Sequence, residues 1–529
     1  MSIHSVLIGG KWRPADAASS FHAVNPATGD RLSDVYPLST WADCDEALAA
    51  GSAAAAALRG KQPEDIARFL SRFAERLEAR KTALVEMANR ETALAASPRL
   101  ADVELPRTVN QLRQAADAAS EGSWALPTID TKNQIRSCYE PLGPVVVFGP
   151  NNFPFAFNGA AGGDFAAAIA AGNPVIAKGH PSHPGTSRML AEEAFEAVKE
   201  TGLPLATVQL LYKVDHQSGQ RLVSDPRVGA TGFTGSRTAG MALKAAADGV
   251  GKPIYLEMSS INPVLVLPGA LAERATQVAS ELAASSLLGG GQFCTSPGLI
   301  VTFAGERTDA FIDEVRRLLE AAPTPALLSS TVAKGLAASV GALRSAGARV
   351  MTAEKPVDSE YRYPNTLLRV GGEEFLRHPE KLQTEAFGST MLCVVVDGIE
   401  GASRVLSHLE GNLTGSIYSD TRGSDEGAYT ALAPLLRSRV GRLLNDKMPT
   451  GVAVSPAMNH GGPFPATGHP GFTSVGIPAS LRRFAMLCCY DNVRPDRLPP
   501  SLRDENPNGR MWRLIDGQWT QTSCNRASI

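Results

Sequence analysis

What most limits the fold of this chain is an alternation between residues 145 and 257, where short β-branched apolar runs give way in turn to segments with helical spacing. Val145-Val146-Val147-Phe148 stops at Gly149-Pro150, and further apolar runs occupy 174–177, 207–212 and 228–233. Between and after them, residues 155–171, 186–201 and 238–248 carry the composition and spacing of helices. A strand that returns beside its predecessor after a helix must run parallel to it, so this stretch predicts a parallel sheet flanked by helices. Open sheets of that kind bind ligands at the carboxyl ends of their strands. The residues just past each apolar run are therefore the first candidates for chemistry.

The remainder extends the same plan. Residues 43–122 are rich in Ala, Leu, Arg and Glu, with Ile66, Leu70, Phe73 and Leu77 at three- and four-residue spacing, and read as amphipathic helices. The alanines of 53–57 read as part of one of them. A second α/β unit is expected from residue 262, with strands at 264–267, 298–302 and 391–396 and a helix at 308–321. From residue 463 a Gly- and Pro-rich stretch leads to apolar 484–490, expected as an extended arm in which Cys488 and Cys489 are buried strand residues. The tail beyond Arg494, with Trp512 and Trp519, is left either ordered against the body or partly loose. At 529 residues the chain is long enough for two or three domains.

Composition narrows the partners. A formal net charge of -2 supplies no footprint for nucleic acid or an anionic membrane, and no run approaches the ~18 apolar residues of a membrane span. The seven cysteines form no CxxC pair and no zinc-like spacing, so a reducing, cytoplasmic setting and no metal site are expected. A small molecule is the expected partner.

Three segments carry chemistry. Gly289-Gly290-Gly291-Gln292-Phe293-Cys294 sets one thiol after glycines that permit positive φ and close backbone approach, which suits an accessible nucleophile. Leu256-Glu257 places a carboxylate at the end of an apolar run, where burial is expected to raise its pKa toward that of a general base. Gly149-Pro150-Asn151-Asn152-Phe153-Pro154 lies at a strand's carboxyl end and offers the Asn152 amide to a developing oxyanion.

Together with Lys178, Phe233-Thr234-Gly235-Ser236, Gly240 and Glu385-Ala386-Phe387-Gly388, and in this order, these segments resemble the aldehyde dehydrogenase family from about residue 8 to about 493. The resemblance implies a Rossmann-type cofactor domain (1–125 and 145–258), an α/β catalytic domain (259–462) and a small β oligomerisation arm (126–144 and 463–493), with a tail at 494–529. It implies Cys294 as nucleophile, Glu257 as base for water, and Asn152 with the Cys294 N–H as oxyanion hole. It also implies Lys178 on the adenosine ribose, Gly235 and Ser236 near the pyrophosphate, Glu385 on the nicotinamide ribose and Phe387 against the nicotinamide. A homodimer or homotetramer joined through the arm is expected. One departure concerns the cofactor: three residues past the lysine, where many NAD-preferring members carry Glu, stands Pro181. Loss of that carboxylate favours NADP while leaving NAD possible, with His180 or His183 near the 2′-phosphate.

Within the family, 178–187, 259–263 and 460–467 are similar to the branch holding 2-oxoglutarate semialdehyde (2,5-dioxopentanoate) and NADP-dependent long-chain aldehyde dehydrogenases, and 504–517 is similar to the former group's ending. A short oxo-acid aldehyde is therefore expected, with Arg107 and Gln111 to receive its carboxylate and Phe155, Phe157 and Phe464 as apolar walls. A fatty aldehyde is the alternative. Glu257 speaks against acyl transfer to coenzyme A, and the intact set of three speaks against a non-catalytic binding protein. A cysteine hydrolase would need a histidine that does not stand near Cys294 in sequence.

Overall fold

The computed structural model describes residues 3–353 and 355–524. Its first sheet has seven strands in the order Ile254–Glu257, Ala230–Thr234, Val145–Phe148, Val175–Lys178, Val208–Leu211, Val6–Ile8 and Lys11–Arg13. The first five are parallel, with Val145 opposite both Val175 and Ala230, so their carboxyl ends open on one edge. These strands are buried on both faces, which is why they read as unbroken Val/Ile/Leu runs. Pro63–Ala79 shows how the covering helices form: Gln62 and Asp65 make a reciprocal capping box, and Ile66, Phe69, Leu70, Phe73 and Leu77 turn one stripe inward.

The second sheet, also of seven strands, runs Arg349–Val350, Thr366–Gly371, Thr390–Val396, Leu299–Phe303, Val264–Val266, Asn412–Tyr418 and Val440–Asn445. Only the short Arg349–Val350 strand is antiparallel to its neighbour.

The structure differs from expectation in two places and decides a third that the sequence left open. The helix foreseen over 155–171 spans only Gly163–Ala170. The preceding residues are held in turns by Asn158, whose side chain accepts from the Ala160 N–H and donates to the Pro154 carbonyl. Gly159 passes so close to the neighbouring strand that a Cβ there would sit 2.8 Å from the Val147 carbonyl. The strand Ala485–Asp491 lies at a sheet edge with Met486 and Leu487 exposed, and instead of both cysteines being buried, Cys488 is half-buried and Cys489 exposed. Of the two readings left open for the tail, the described part is ordered: Arg513–Ile515 pairs in parallel with Thr128–Asp130, and with Gln518–Thr520 completes a five-stranded sheet. Arg513, fully buried, knits this tail together through the carbonyls of Arg503, Asp504 and Thr522, and Arg136 of the body holds it by pairing with Asp504 at 2.8 Å. Among the described residues no helix is long and apolar enough to cross a membrane.

Candidate active site

Glu257 ends the strand Ile254–Glu257, and its own carbonyl accepts from the Gly235 N–H of the adjacent strand end at 3.1 Å. Asn152 lies just past the strand Val145–Phe148 in the middle of the same sheet. Both residues are buried.

The thiol reaches them from the second unit on a loop that only its glycines permit. Gly289, Gly290 and Gly291 have φ of 61°, 67° and 70°, and a Cβ on Gly291 would lie 2.2 Å from the backbone of Gly388. Asn262, itself at φ 45°, locks the loop by donating from Nδ2 to the carbonyls of Cys294 and Ser296, each at 2.9 Å. Its Oδ1 accepts from Ser260 and Thr414, so the side chain cannot swing away. Asn152 donates one amide hydrogen to the Gln292 carbonyl at 2.8 Å, two residues before the cysteine, and its second hydrogen remains for an oxyanion.

Between thiol and carboxylate stands a residue absent from the expected set. His460 Nε2 lies 3.4 Å from Cys294 Sγ and 2.8 Å from Glu257 Oε1, and all three side chains meet although 166 residues separate the histidine from the cysteine. The segment carrying it is clamped over the sheet's edge: Met258 donates to Ala466, Gly468 to Leu256, and the His460 N–H to Thr473 Oγ1. Ser474 Oγ donates to the other Glu257 oxygen at 3.1 Å.

Burial pushes the Glu257 carboxyl up, but His460, the Cys294 thiol and Ser474 outweigh it and hold the group below its ordinary range. The expectation of a raised pKa is thereby corrected: burial was foreseen, its hydrogen-bonding neighbours were not. Cys294 shifts the opposite way, well above an ordinary thiol, through burial and then the Glu257 charge, with Arg107 opposing. At neutral pH the resting pair is a thiol beside a carboxylate.

Cys294 and His460 face a cavity of about 490 Å³ walled by Leu94, Phe153, Phe157, Phe293 and Val452 and containing Arg99 and Arg107. Arg107 stacks over the Phe157 ring at 5.0 Å, and its Nε and Nη2, closed off from solvent, find no hydrogen-bond partner. Of the other foreseen substrate residues, Phe157 lines the cavity and three lie elsewhere. Gln111 points away from the cavity, its Nε2 packed beside Gly163. Phe155 is fully buried in the core of the first unit, where Glu104 accepts its N–H. Phe464 is exposed and lies against Arg237, outside the cavity. Helical spacing and aromatic character marked these positions, but side-chain direction was set by packing: Phe153 takes the wall position assigned to Phe155.

Of the residues foreseen for a dinucleotide, Lys178, Gly235 and Ser236 stand at or just past strand ends of the first sheet, and Glu385 and Phe387 lie on the loop leading into Thr390–Val396. Ser236 caps the helix Arg237–Asp248 through the Ala239 N–H, so that helix's amino end faces the edge. Lys178 is brought down to about 8 by burial and then by Lys213, a cation held where an oxygen-rich ligand would relieve it. Glu385 is driven up to about 7 by burial, and Ser260 donates to it at 3.4 Å. Phe387 lines a small recess with Glu385, Ile261 and Phe293. Beside Pro181, the ring of His180 accepts from the Ser182 N–H, whereas His183 is fully buried with Nε2 on the Pro150 carbonyl. That contact turns His183 inward, away from any phosphate, while His180 is half-buried and its imidazole is held neutral by burial and then by His183 and Lys178.

The family model described as "Aldehyde dehydrogenase family" matches residues 12–433. The chain is 38% identical over 531 aligned residues to alpha-ketoglutaric semialdehyde dehydrogenase 2 of Azospirillum brasilense, covering 98% of this chain and 100% of that protein. It is 34% identical to alpha-ketoglutaric semialdehyde dehydrogenase of Acinetobacter baylyi, over 96% and 97% of the two chains. In fold it is similar to the crystal structure of PnpE in complex with nicotinamide adenine dinucleotide, with a TM-score of 0.78, 18% identity, and coverage of 93% of this chain and 98% of that one.

Proposed function

Since the chain belongs to the aldehyde dehydrogenase family, we propose that this NAD(P)-dependent oxidoreductase converts 2-oxoglutarate semialdehyde to 2-oxoglutarate, accepting NADP and NAD. The observation that carries the substrate is Arg107. A guanidinium in an aromatic cavity, with two nitrogens shut off from water and unpartnered, is costly until an anion arrives. An aldehyde bearing a carboxylate at its far end supplies one while its carbonyl turns to Cys294, which lines the same cavity. The names of the two relatives support the same substrate.

In the chemistry we assign, the Cys294 thiol gives its proton to the Glu257 carboxylate, which releases it to solvent, as the sulfur adds to the carbonyl carbon, while His460 holds that carboxylate through its Nε2–H. Asn152 and the Cys294 N–H stabilise the oxyanion, a contribution typically worth about 3 kcal/mol per donor. NAD(P), held at the strand ends by Lys178, Gly235, Ser236, Glu385 and Phe387, supplies the hydride acceptor when bound. Glu257, kept ionised by its neighbours, then takes the proton of the water that cleaves the Cys294 thioester. Pro181, which carries no charge to repel a 2′-phosphate, supports acceptance of NADP. The exposed Met486 and Leu487 on the edge strand Ala485–Asp491 support a homodimer or homotetramer formed through that strand.

The apolar walls of the cavity favour one second reading, oxidation of a medium- or long-chain aliphatic aldehyde. Steady-state rates with 2-oxoglutarate semialdehyde, glutarate semialdehyde and a long-chain aldehyde, each with NAD and NADP, separate the two. The highest kcat/KM is expected for the oxo-acid; preference for the fatty aldehyde overturns the reading.

A further inference from the structure

The side chains around the thiol are also a metal donor set, although sequence spacing showed no metal site. Cys294 Sγ, His460 Nε2 and a Glu257 carboxylate oxygen lie within 4.8 Å of one another, the single such trio of His, Cys and carboxylate donors among the described residues. Zinc bonds of about 2.3 Å to sulfur and roughly 2.0–2.1 Å to nitrogen and oxygen, at tetrahedral angles, ask for donors about 3.3–3.6 Å apart. The 3.4 Å between Sγ and Nε2 meets this as it stands, and the 2.8 Å between Nε2 and Oε1 needs to open by only about half an ångström.

The surroundings suit a metal in two further ways. Ser474 braces the free Glu257 oxygen and Thr473 holds the backbone of His460, the outer support that orients metal ligands. Cys294 and His460 both face the open cavity, which gives an ion a path in and a water the fourth position. A soft thiolate with imidazole and carboxylate selects zinc over magnesium or calcium.

We propose that the resting enzyme binds one Zn²⁺ across Cys294, His460 and Glu257, reversibly masking the nucleophile. The thiol proton is released to solvent as the Zn–S bond forms, and nothing is oxidised or reduced. The site rests on the geometry of three side chains and not on which aldehyde the enzyme prefers.

Cobalt reports on such a site directly. Titrating the purified, reduced protein with Co²⁺ is expected to give, at one equivalent, a thiolate-to-metal charge-transfer band and tetrahedral d–d bands that Zn²⁺ displaces and EDTA abolishes. In parallel, stoichiometric Zn²⁺ is expected to protect Cys294 from iodoacetamide. Cys294→Ser removes the charge-transfer band, and His460→Gln weakens Co²⁺ binding by roughly 100-fold or more. The adjacent Cys488 and Cys489, part-exposed and exposed, are the competing location. The Cys488→Ser/Cys489→Ser protein must therefore keep the full signal. Survival of the band in Cys294→Ser, its loss in the Cys488/Cys489 double variant, or no band with wild-type protein overturns the proposal. Circular dichroism of His460→Gln distinguishes a lost ligand from a lost fold, and Cys294→Ser tests the site independently.

Discussion

Two arginines, Arg99 and Arg107, stand on one wall of the same cavity, and the protein treats them in opposite ways. Arg99 is spoken for: Nη1 is paired with Glu104 at 2.5 Å, Nη2 donates to the Asn152 carbonyl at 3.1 Å, and the guanidinium packs 4.4 Å over Phe153. Glu104 is closed in turn by the N–H groups of Phe155 and Ala156. Arg107 packs over Phe153 and Phe157 and forms no ion pair, feeling the Glu104 charge only at a distance. The first arginine builds the turn that aims Asn152. The second is left with unused donors in the cavity that Cys294 enters. A charge buried without a partner is stable only where something outside the chain completes it.

The comparison breaks most visibly in stability. Replacing Arg99 by Met strands the buried Glu104 carboxylate, and a loss of about 3–5 kcal/mol is expected. Arg107→Leu removes an unpaired buried charge, so its denaturation midpoint is expected to equal or exceed that of the wild type. Urea unfolding of both variants, side by side, checks the pair of signs.

In turnover the roles reverse. Arg107→Leu is expected to lower kcat/KM for 2-oxoglutarate semialdehyde by on the order of 10²- to 10³-fold, the usual cost of deleting one member of a buried charge pair. Propanal, which has no carboxylate, is expected to lose less than about threefold. Equal losses on both substrates would return Arg107 to the class of Arg99.

How far the site could be read from the chain depends on the range of each signal. The parallel strand ends announce themselves locally, through apolar runs that stop at Gly149, Lys178, Gly235 and Glu257. The Gly289–Gly291 loop is equally local, since only glycine tolerates those three φ values beside Gly388. His460 left no such mark. Its role depends on 466–468 hydrogen-bonding to the end of a strand far earlier in the chain, a contact without periodicity. The sequence showed no histidine near Cys294 along the chain and left proximity in space open, and the fold supplies one across space; the pattern Asn459-His460-Gly461-Gly462 before Pro463 was the available hint. The choice between Phe153 and Phe155 failed for a related cause. The two lie two residues apart, and the Glu104 carboxylate that accepts the Phe155 and Ala156 N–H groups fixes a local backbone that sequence spacing does not reveal. The strand Ala485–Asp491 was legible as a strand, yet its exposure was not, because a surface suited to another subunit has core-like composition.

The thiol itself offers a sensitive probe. Burial and the Glu257 charge raise the Cys294 pKa well above that of a free thiol, so at neutral pH the group is protonated and thiolate increases as pH rises. Alkylation of the cofactor-free enzyme by iodoacetamide is accordingly expected to accelerate about tenfold per pH unit from roughly pH 7 to 9, without a plateau. A rate already level at pH 7 would mean a preformed thiolate.

Within that measurement lies the finest distinction between the arginines. Arg107 is the cation that opposes the upward shift of Cys294; Arg99, neutralised by Glu104, has no such standing. Removing Arg107 takes away stabilisation of the thiolate, so at a fixed pH of about 8 the Arg107→Leu enzyme is expected to alkylate a few-fold more slowly. The conservative Arg107→Lys, which keeps the charge and loses the planar fork, should recover most of that rate while remaining impaired on the semialdehyde. If lysine restored turnover as fully as it restored thiol reactivity, Arg107 would act on the sulfur alone and the carboxylate of the substrate would have to be held by another group.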